Sequence, residues 1–243
     1  MPAILAIETS THIGAVALLP HAPQTRGAVH EATRDNNKLS GWVLPAVERV
    51  LARSALPPEA LDAIAFGAGP GAFTGVRTAC ATAQALAFAW NKPLLAVDSL
   101  EALAIIALDT AAEVTVAIDA RLGELYLARF ARTPEGAGIE RLAPTQALAV
   151  SSVTRDDSLW VGSGAVLCDP PVTTGASPTD RSTITGIDDD WAIGVARVAA
   201  AQLGRGMRMD ALAAEPLYVR NDVALTEAQR YARRNSAREA TSC

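Results

Sequence analysis

At 243 residues, half of them hydrophobic, the chain is long enough for one large domain or for two of about 100 to 150 residues, each with a buried core. A formal net charge of -5 argues against a protein that holds nucleic acid unaided, because neutralising phosphates takes clustered Lys and Arg. No run approaches the roughly 18 to 20 apolar residues of a membrane span. The opening Met1-Pro2-Ala3-Ile4-Leu5 lacks the basic segment of a secretory signal, so a cytoplasmic protein without membrane association is expected.

Residues 3–7 and 14–19 are apolar runs around the polar turn Glu8-Thr9-Ser10-Thr11-His12, which predicts a hairpin, with a third strand over 27–33. Leu39, Val43, Val47, Val50 and Leu51 recur at helical spacing, and Pro45 inside that pattern predicts a kink or a late start. Residues 63–66 read as a buried strand running into a glycine-rich loop at 67–77. A helix over about 74–90 follows, with alanine at 79, 81, 83, 85, 87 and 89. Its small side chains permit close approach of another helix. A strand at 94–97 leads into Asp98-Ser99-Leu100-Glu101, an acidic N-cap with glutamate three residues on, and a helix to about 108.

Residues 114–118 and 125–130 form two further apolar runs, around Asp119-Ala120-Arg121-Leu122-Gly123-Glu124. Here the pattern repeats: Leu5-Ala6-Ile7-Glu8 and Val116-Ala117-Ile118-Asp119 are both strands that end in an acid, turn near a glycine and return, about 110 residues apart. Two similar α/β halves are expected, at 1–109 and 110–225, with a charged tail at 226–243. In the second half, 160–165 reads as a strand, 170–185 as a loop and 191–203 as a helix.

The loop Gly67-Ala68-Gly69-Pro70-Gly71-Ala72-Phe73-Thr74-Gly75-Val76-Arg77 has two readings. Its glycines can make a tight joint with Thr74 capping the helix, or its amides can form an anion site at a helix start. It is not a Walker loop, since no Lys-Ser or Lys-Thr follows the last glycine. Cys80, Cys168 and Cys243 include no CxxC pair, and His12, His21 and His30 have no i, i+4 partner, so no metal site is expected. Ser10 and Ser99 lack a nucleophile elbow and read as structural or capping residues. Arg77 opposes the dipole of its own helix and calls for a partner to its charge, by an internal salt bridge or an external contact.

The stretch from Gly69 to Arg77 resembles the GPGSFTG-[LV]-R signature of the TsaB (YeaZ) family, with Ala72 in place of the usual serine. Leu44-Pro45, Asp119-Ala120-Arg121 with Gly123, Glu124 and Tyr126, and Pro216-Leu217-Tyr218-Val219-Arg220 agree with it. The resemblance implies an actin and Hsp70-like (ASKHA) α/β fold of two ribonuclease-H-like halves. It also implies a non-catalytic scaffold that activates a TsaD-like catalytic subunit and works with a TsaE-like ATPase, which together transfer a threonylcarbamoyl group to the adenosine beside the tRNA anticodon. Contact with tRNA is then indirect, through the complex. The paired-histidine metal motif of the catalytic relative is replaced here by Asn36, Asn37, Lys38, Leu39, Ser40, Gly41 and Trp42. Glu8, Thr9 and Ser10, with Asp119, could still form the acidic turns of an actin-type nucleotide site, although Gly162-Ser163-Gly164 is a thin adenosine loop. Three readings follow: a scaffold without cofactor, save for a nucleotide held weakly at a subunit junction; an ATPase or phosphotransferase; and a glycoprotease-like hydrolase. For the scaffold, the two N-terminal helices are the expected partner surface, through Trp42, Val43, Val47, Gly75, Thr78, Ala79, Thr82 and Ala83, with a homodimer when the partner is absent.

Overall fold

The computed structural model describes residues 1–21, 27–35, 39–133, 138–168 and 187–219. The loop expected at 170–185, the tail beyond 226, Arg220, and Asn36 to Lys38 lie outside the described residues. Strands β1 (Ile4–Glu8), β2 (Gly14–Leu19) and β3 (Val29–Thr33) form an antiparallel meander. Helix α1 (Leu39–Ser54), β4 (Ala63–Gly69), α2 (Phe73–Ala89), β5 (Leu94–Asp98) and α3 (Ser99–Ala107) then alternate, and β4 and β5 run parallel to β1. A second sheet holds β6 (Glu113–Arg121), β7 (Glu124–Arg132), β8 (Ile139–Ala149) and β9 (Leu159–Val161), and α4 (Trp191–Gly204) follows it in the chain.

The sheet orders are β3-β2-β1-β4-β5 and β8-β7-β6-β9. In each, an antiparallel hairpin built on the acid-ending strand is followed by an antiparallel third strand, and a later strand joins the first in parallel. The repeat seen in sequence is therefore a repeat of topology.

β1 lies inside its sheet with both faces covered, which is why it reads as an unbroken apolar run. Period two divides its side chains. Leu5 and Ile7 join Val43, Val47, Ile64, Phe66, Ala79 and Ala83 under α1 and α2, while Ile4 and Ala6 join Leu100, Leu103, Trp191 and Val195 under α3 and α4. That second cluster continues into Val116, Ile118 and Phe130 of the other sheet, so the two sheets share one core. Although α4 follows the second sheet in the chain, it packs on β1, β2, β4 and β5. Trp191 is buried there and donates its indole N–H to the Ser99 carbonyl at 2.7 Å. Asp98 caps α3 by accepting from the Leu100 and Glu101 amides, and Arg141 of β8 reaches across to it at 2.7 Å, with its guanidinium stacked over Phe130.

Three local expectations need correction. Helix α1 runs across Pro45 without interruption; the carbonyl that proline leaves unpaired belongs to exposed Gly41, where water can take it. Thr74 does not cap α2: Ala72 holds the N-cap position, with no side-chain cap. The expected strand at 160–165 ends at Val161, because Gly162 takes φ +94° and a 3-10 turn follows over Ala165–Cys168. β8 had no counterpart in the sequence reading.

Gly194 sets the spacing of α3 and α4, since a Cβ there would lie 1.9 Å from the Ala102 carbonyl oxygen, whereas nothing lies within 4 Å of one at Gly41. Gly194→Ala should cost about 2 to 4 kcal/mol of unfolding free energy, while Gly41→Ala should gain about 0.5 to 1 kcal/mol, both measured by chemical denaturation.

Candidate functional site

The glycine loop and the Glu8-Thr9-Ser10 turn form one interlocked unit. A Cβ on Gly67 would stand 1.8 Å from Glu8 Oε2, one on Gly71 2.2 Å from the Ser10 carbonyl oxygen, and one on Gly75 1.9 Å from the Thr9 carbonyl oxygen. Each residue of the turn thus occupies space that a side chain on one glycine would fill. Hydrogen bonds fix the fit: the Ala72 amide donates to the Ser10 carbonyl at 2.6 Å, and Thr9 Oγ1 donates to the Gly75 carbonyl at 2.7 Å. The Gly69 amide donates to Ser99 Oγ at 3.1 Å, and that hydroxyl donates to Glu8 Oε2 at 2.7 Å. The Ser10 amide donates to Glu8 Oε1 at 2.6 Å. Two amides that a phosphate cradle would present, those of Gly69 and Ala72, are consumed inside the fold.

Glu8 is fully buried with no cation beside it. Desolvation pushes its pKa above the ordinary carboxylate range, and the hydrogen bonds from Ser10, Ser99 and Thr9 offset only part of that rise. Its carboxyl cannot reach a ligand outside without giving up these bonds.

Beside this unit lies a cleft of about 830 Å³ between the two sheets, walled by the Ser10 to His12 turn, the starts of α1 and α2, and the β6–β7 turn. Of Glu8, Thr9 and Ser10 only Ser10 lines it. Asp119 lines the opposite wall, where its carboxylate accepts from the Arg121 amide at 2.8 Å and pairs with the Arg121 guanidinium at 3.2 Å. Arg121 and Leu122, both at positive φ and both exposed, form the tip of that wall. The residues present therefore do not fit a metal and nucleotide held between two acidic turns: one acid is sealed inward and the other is already paired.

Most of the residues expected to meet a partner on α1 and α2 are not on the surface. Val43, Val47, Gly75, Ala79 and Ala83 are buried against their own sheet, while Trp42, Thr78 and Thr82 are half-buried. The sheet covers the stripe Val76, Ala79, Ala83 and Ala87, so positions 81, 85 and 88 of α2 turn outward. Ala81, Ala85, Phe88 (72% exposed) and, on α1, Leu44 (50% exposed) make the outward surface.

The sequence of this chain matches the family model described as TsaD, tRNA N6-adenosine threonylcarbamoyltransferase, over residues 25–155. It is 32% identical over 237 residues to the tRNA threonylcarbamoyladenosine biosynthesis protein TsaB of Haemophilus influenzae, covering 90% of this chain and 94% of that protein. The TsaB protein of Escherichia coli is 31% identical over 232 residues, covering 91% of this chain and 96% of its own length. The chain belongs to the TsaB (YeaZ) family. The solved structure of YeaZ from Pseudomonas aeruginosa superposes with a TM-score of 0.71 at 31% identity, over 90% of this chain and all of that one.

The family signature thus acquires a geometry here. Gly67, Gly71 and Gly75 meet the first turn, and Gly69, at φ +95°, lies against Val76 and the Leu217 carbonyl. The late Pro216-Leu217-Tyr218 segment closes over the same loop: the Leu217 amide donates to the Ala68 carbonyl at 2.7 Å, and Gln84 of α2 donates to the Ala211 and Ala214 carbonyls. No carboxylate pairs with Arg77 among the described residues. Its guanidinium stacks 3.8 Å from the Phe73 ring centroid and its Nε donates to Tyr218 Oη at 3.2 Å. The bond from Arg77 to Tyr218 and the outward placement of Leu44, Ala81, Ala85 and Phe88 were not legible in the sequence. An all-alanine stripe has no visible phase until the sheet side is known.

Because the folded pKa of Glu8 is raised, the native state holds its proton more tightly than the unfolded chain. Stability from this residue is complete below about pH 4.3 and is lost as pH rises through the folded pKa. Glu8→Gln, which keeps the acceptor for the Ser10 amide, should be more stable than the parent at pH 8 and lose that advantage towards pH 4. Unfolding free energies of both proteins across this range check it, and a difference independent of pH would count against a buried, proton-holding Glu8.

Proposed function

We propose that the chain is the non-catalytic scaffold and activator subunit of the machinery that makes threonylcarbamoyladenosine on tRNA. Its partner is a TsaD-like catalytic subunit, with a TsaE-like ATPase, and it meets tRNA only through the complex. Likeness over nearly the full length of two TsaB proteins named for this biosynthesis supports the pathway. The single observation that carries the role is the outward side of α2 and α1: Ala81, Ala85, Phe88 and Leu44 are exposed apolar residues, and the small Ala81 and Ala85 let a partner helix come close. In this reading that side packs against the equivalent helices of the catalytic relative in the cytoplasm, and against a second copy when that relative is absent. The repeated sheet order supports the finer fold reading, two ribonuclease-H-like halves in an actin-like arrangement.

An ATPase or phosphotransferase of the same fold is the second reading, favoured by the cleft itself and by Asp119 at its edge. Sealed Glu8 weighs against it, as does the use of the loop amides within the fold. No cofactor is assigned, and a nucleotide at the subunit junction is one the partner would help to hold. Ala81→Arg with Ala85→Arg should weaken binding to the cognate TsaD-like subunit by about a hundredfold or more while leaving the unfolding free energy within about 0.5 kcal/mol of the parent. Reconstituted threonylcarbamoylation of tRNA should require the parent chain and fail with this variant; activity without the chain would defeat the proposal.

A further inference from the structure

The outward side of α2 carries one charge. Over Phe73–Ala89 the only ionisable side chain other than Cys80 is Arg77, one turn from the start, where the helix dipole disfavours a cation. Such a placement calls for an anion, yet no carboxylate lies within 4.0 Å of it among the described residues, whereas Arg34, Arg49, Arg141 and Arg197 each pair with one. What Arg77 has instead are contacts that hold it still. Phe73 supports one face of the guanidinium and Tyr218 takes Nε, which leaves the two Nη groups without a hydrogen-bond partner among the described residues. Phe73 and Tyr218 are themselves about half exposed, at 50% and 48%, so the cation sits on an apolar shoulder at the edge of the Ala81, Ala85 and Phe88 strip.

We infer that Arg77 is a pre-positioned anchor for a carboxylate of the catalytic partner subunit, with Phe73 and Tyr218 as positioning residues; this rests on the docking surface proposed above. A side chain already stacked and hydrogen-bonded loses little further freedom on forming a two-pronged ion pair. The occupant is a chain of different sequence. In a second copy, α2 brings no carboxylate to meet Arg77, only the same arginine, and the one acid of α1, Glu48, already lies beside Arg49. A partner acid there also fixes register, which a smooth alanine strip cannot do alone.

The test uses the full chain and the cognate TsaD-like subunit, with affinity measured at low and high salt and the unfolding midpoint recorded for each variant. Arg77→Gln should weaken association by about tenfold or more and flatten its salt dependence. Arg77→Lys should keep most of the salt dependence but recover only part of the affinity, since an ammonium neither forks nor stacks on Phe73 as well. Tyr218→Phe should fall between Arg77→Lys and the parent. Unchanged affinity and salt slope in Arg77→Gln, with binding abolished by Ala81→Arg, would overturn the anchor and leave the docking surface standing. Binding that survives Ala81→Arg would instead remove the surface, and the anchor with it. If Arg77→Gln fails to fold, the salt slopes of Arg77→Lys and Tyr218→Phe decide, and a slope equal to the parent's in Tyr218→Phe with full affinity overturns the positioning role. Loss confined to self-association in Arg77→Gln would assign the fork to a second copy and overturn the choice of partner.

Discussion

Close approach of two backbone segments governs this fold. The Glu8-Thr9-Ser10 turn lies so near the glycine loop that three glycines have no room for a Cβ, and Thr9 and Ser10 hydrogen-bond directly to the loop while Glu8 reaches it through Ser99. From that contact the rest follows: β4 ends where the turn meets it, α2 starts at the angle the loop permits, and Ser99 at the head of α3 is tied to the same carboxyl. A loop whose composition suits phosphate binding is here spent on joining secondary structure. Burial of an unpaired carboxyl is a cost the fold accepts to complete the joint.

Around that joint α2 is divided into sectors with different physics. One side lies on the sheet through Val76, Ala79, Ala83 and Ala87; another is clasped by the segment that ends at Tyr218, through Arg77, Cys80 and Gln84. Ala81, Ala85, Phe88 and Ala89 face outward, with Thr78 and Thr82 half-buried between the sectors. Small residues serve all three, giving tight packing inward and a flat, unobstructed surface outward.

Much of this could be read from the residues alone, and the failures have particular causes. The hairpins around Glu8 and Asp119, the Asp98 cap and the repeat were legible because each carries a local chemical mark: an acid at a strand end, a turn glycine, a capping oxygen. β8 was not, since as an edge strand with Pro144 in it and only partial burial it shows little apolar alternation. The acidic turn looked like a ligand site because its sequence cannot say which way Glu8 points; its contact with Gly67 and its bond from Ser99 show that it points inward. Which stripe of α2 faces its own sheet was not legible, because alanine at alternate positions fixes no helical phase: Ala79 and Ala83 turn inward and Ala81 and Ala85 outward.

The position of α4 has a consequence for how the molecule comes into being. Ile4, Ala6, Ala63 and Ala65, all made within the first third of the chain, are covered on one side by Trp191 and Val195. A ribosome that has finished the first sheet has therefore not yet supplied its lid, and that apolar surface must wait through synthesis of the entire second sheet. The strands can pair early, but the core becomes whole only with α4. Nascent chains of this protein pass through a long interval in which the sheet is assembled and one side of it is covered by α3 alone, the interval in which a chaperone has the most to offer.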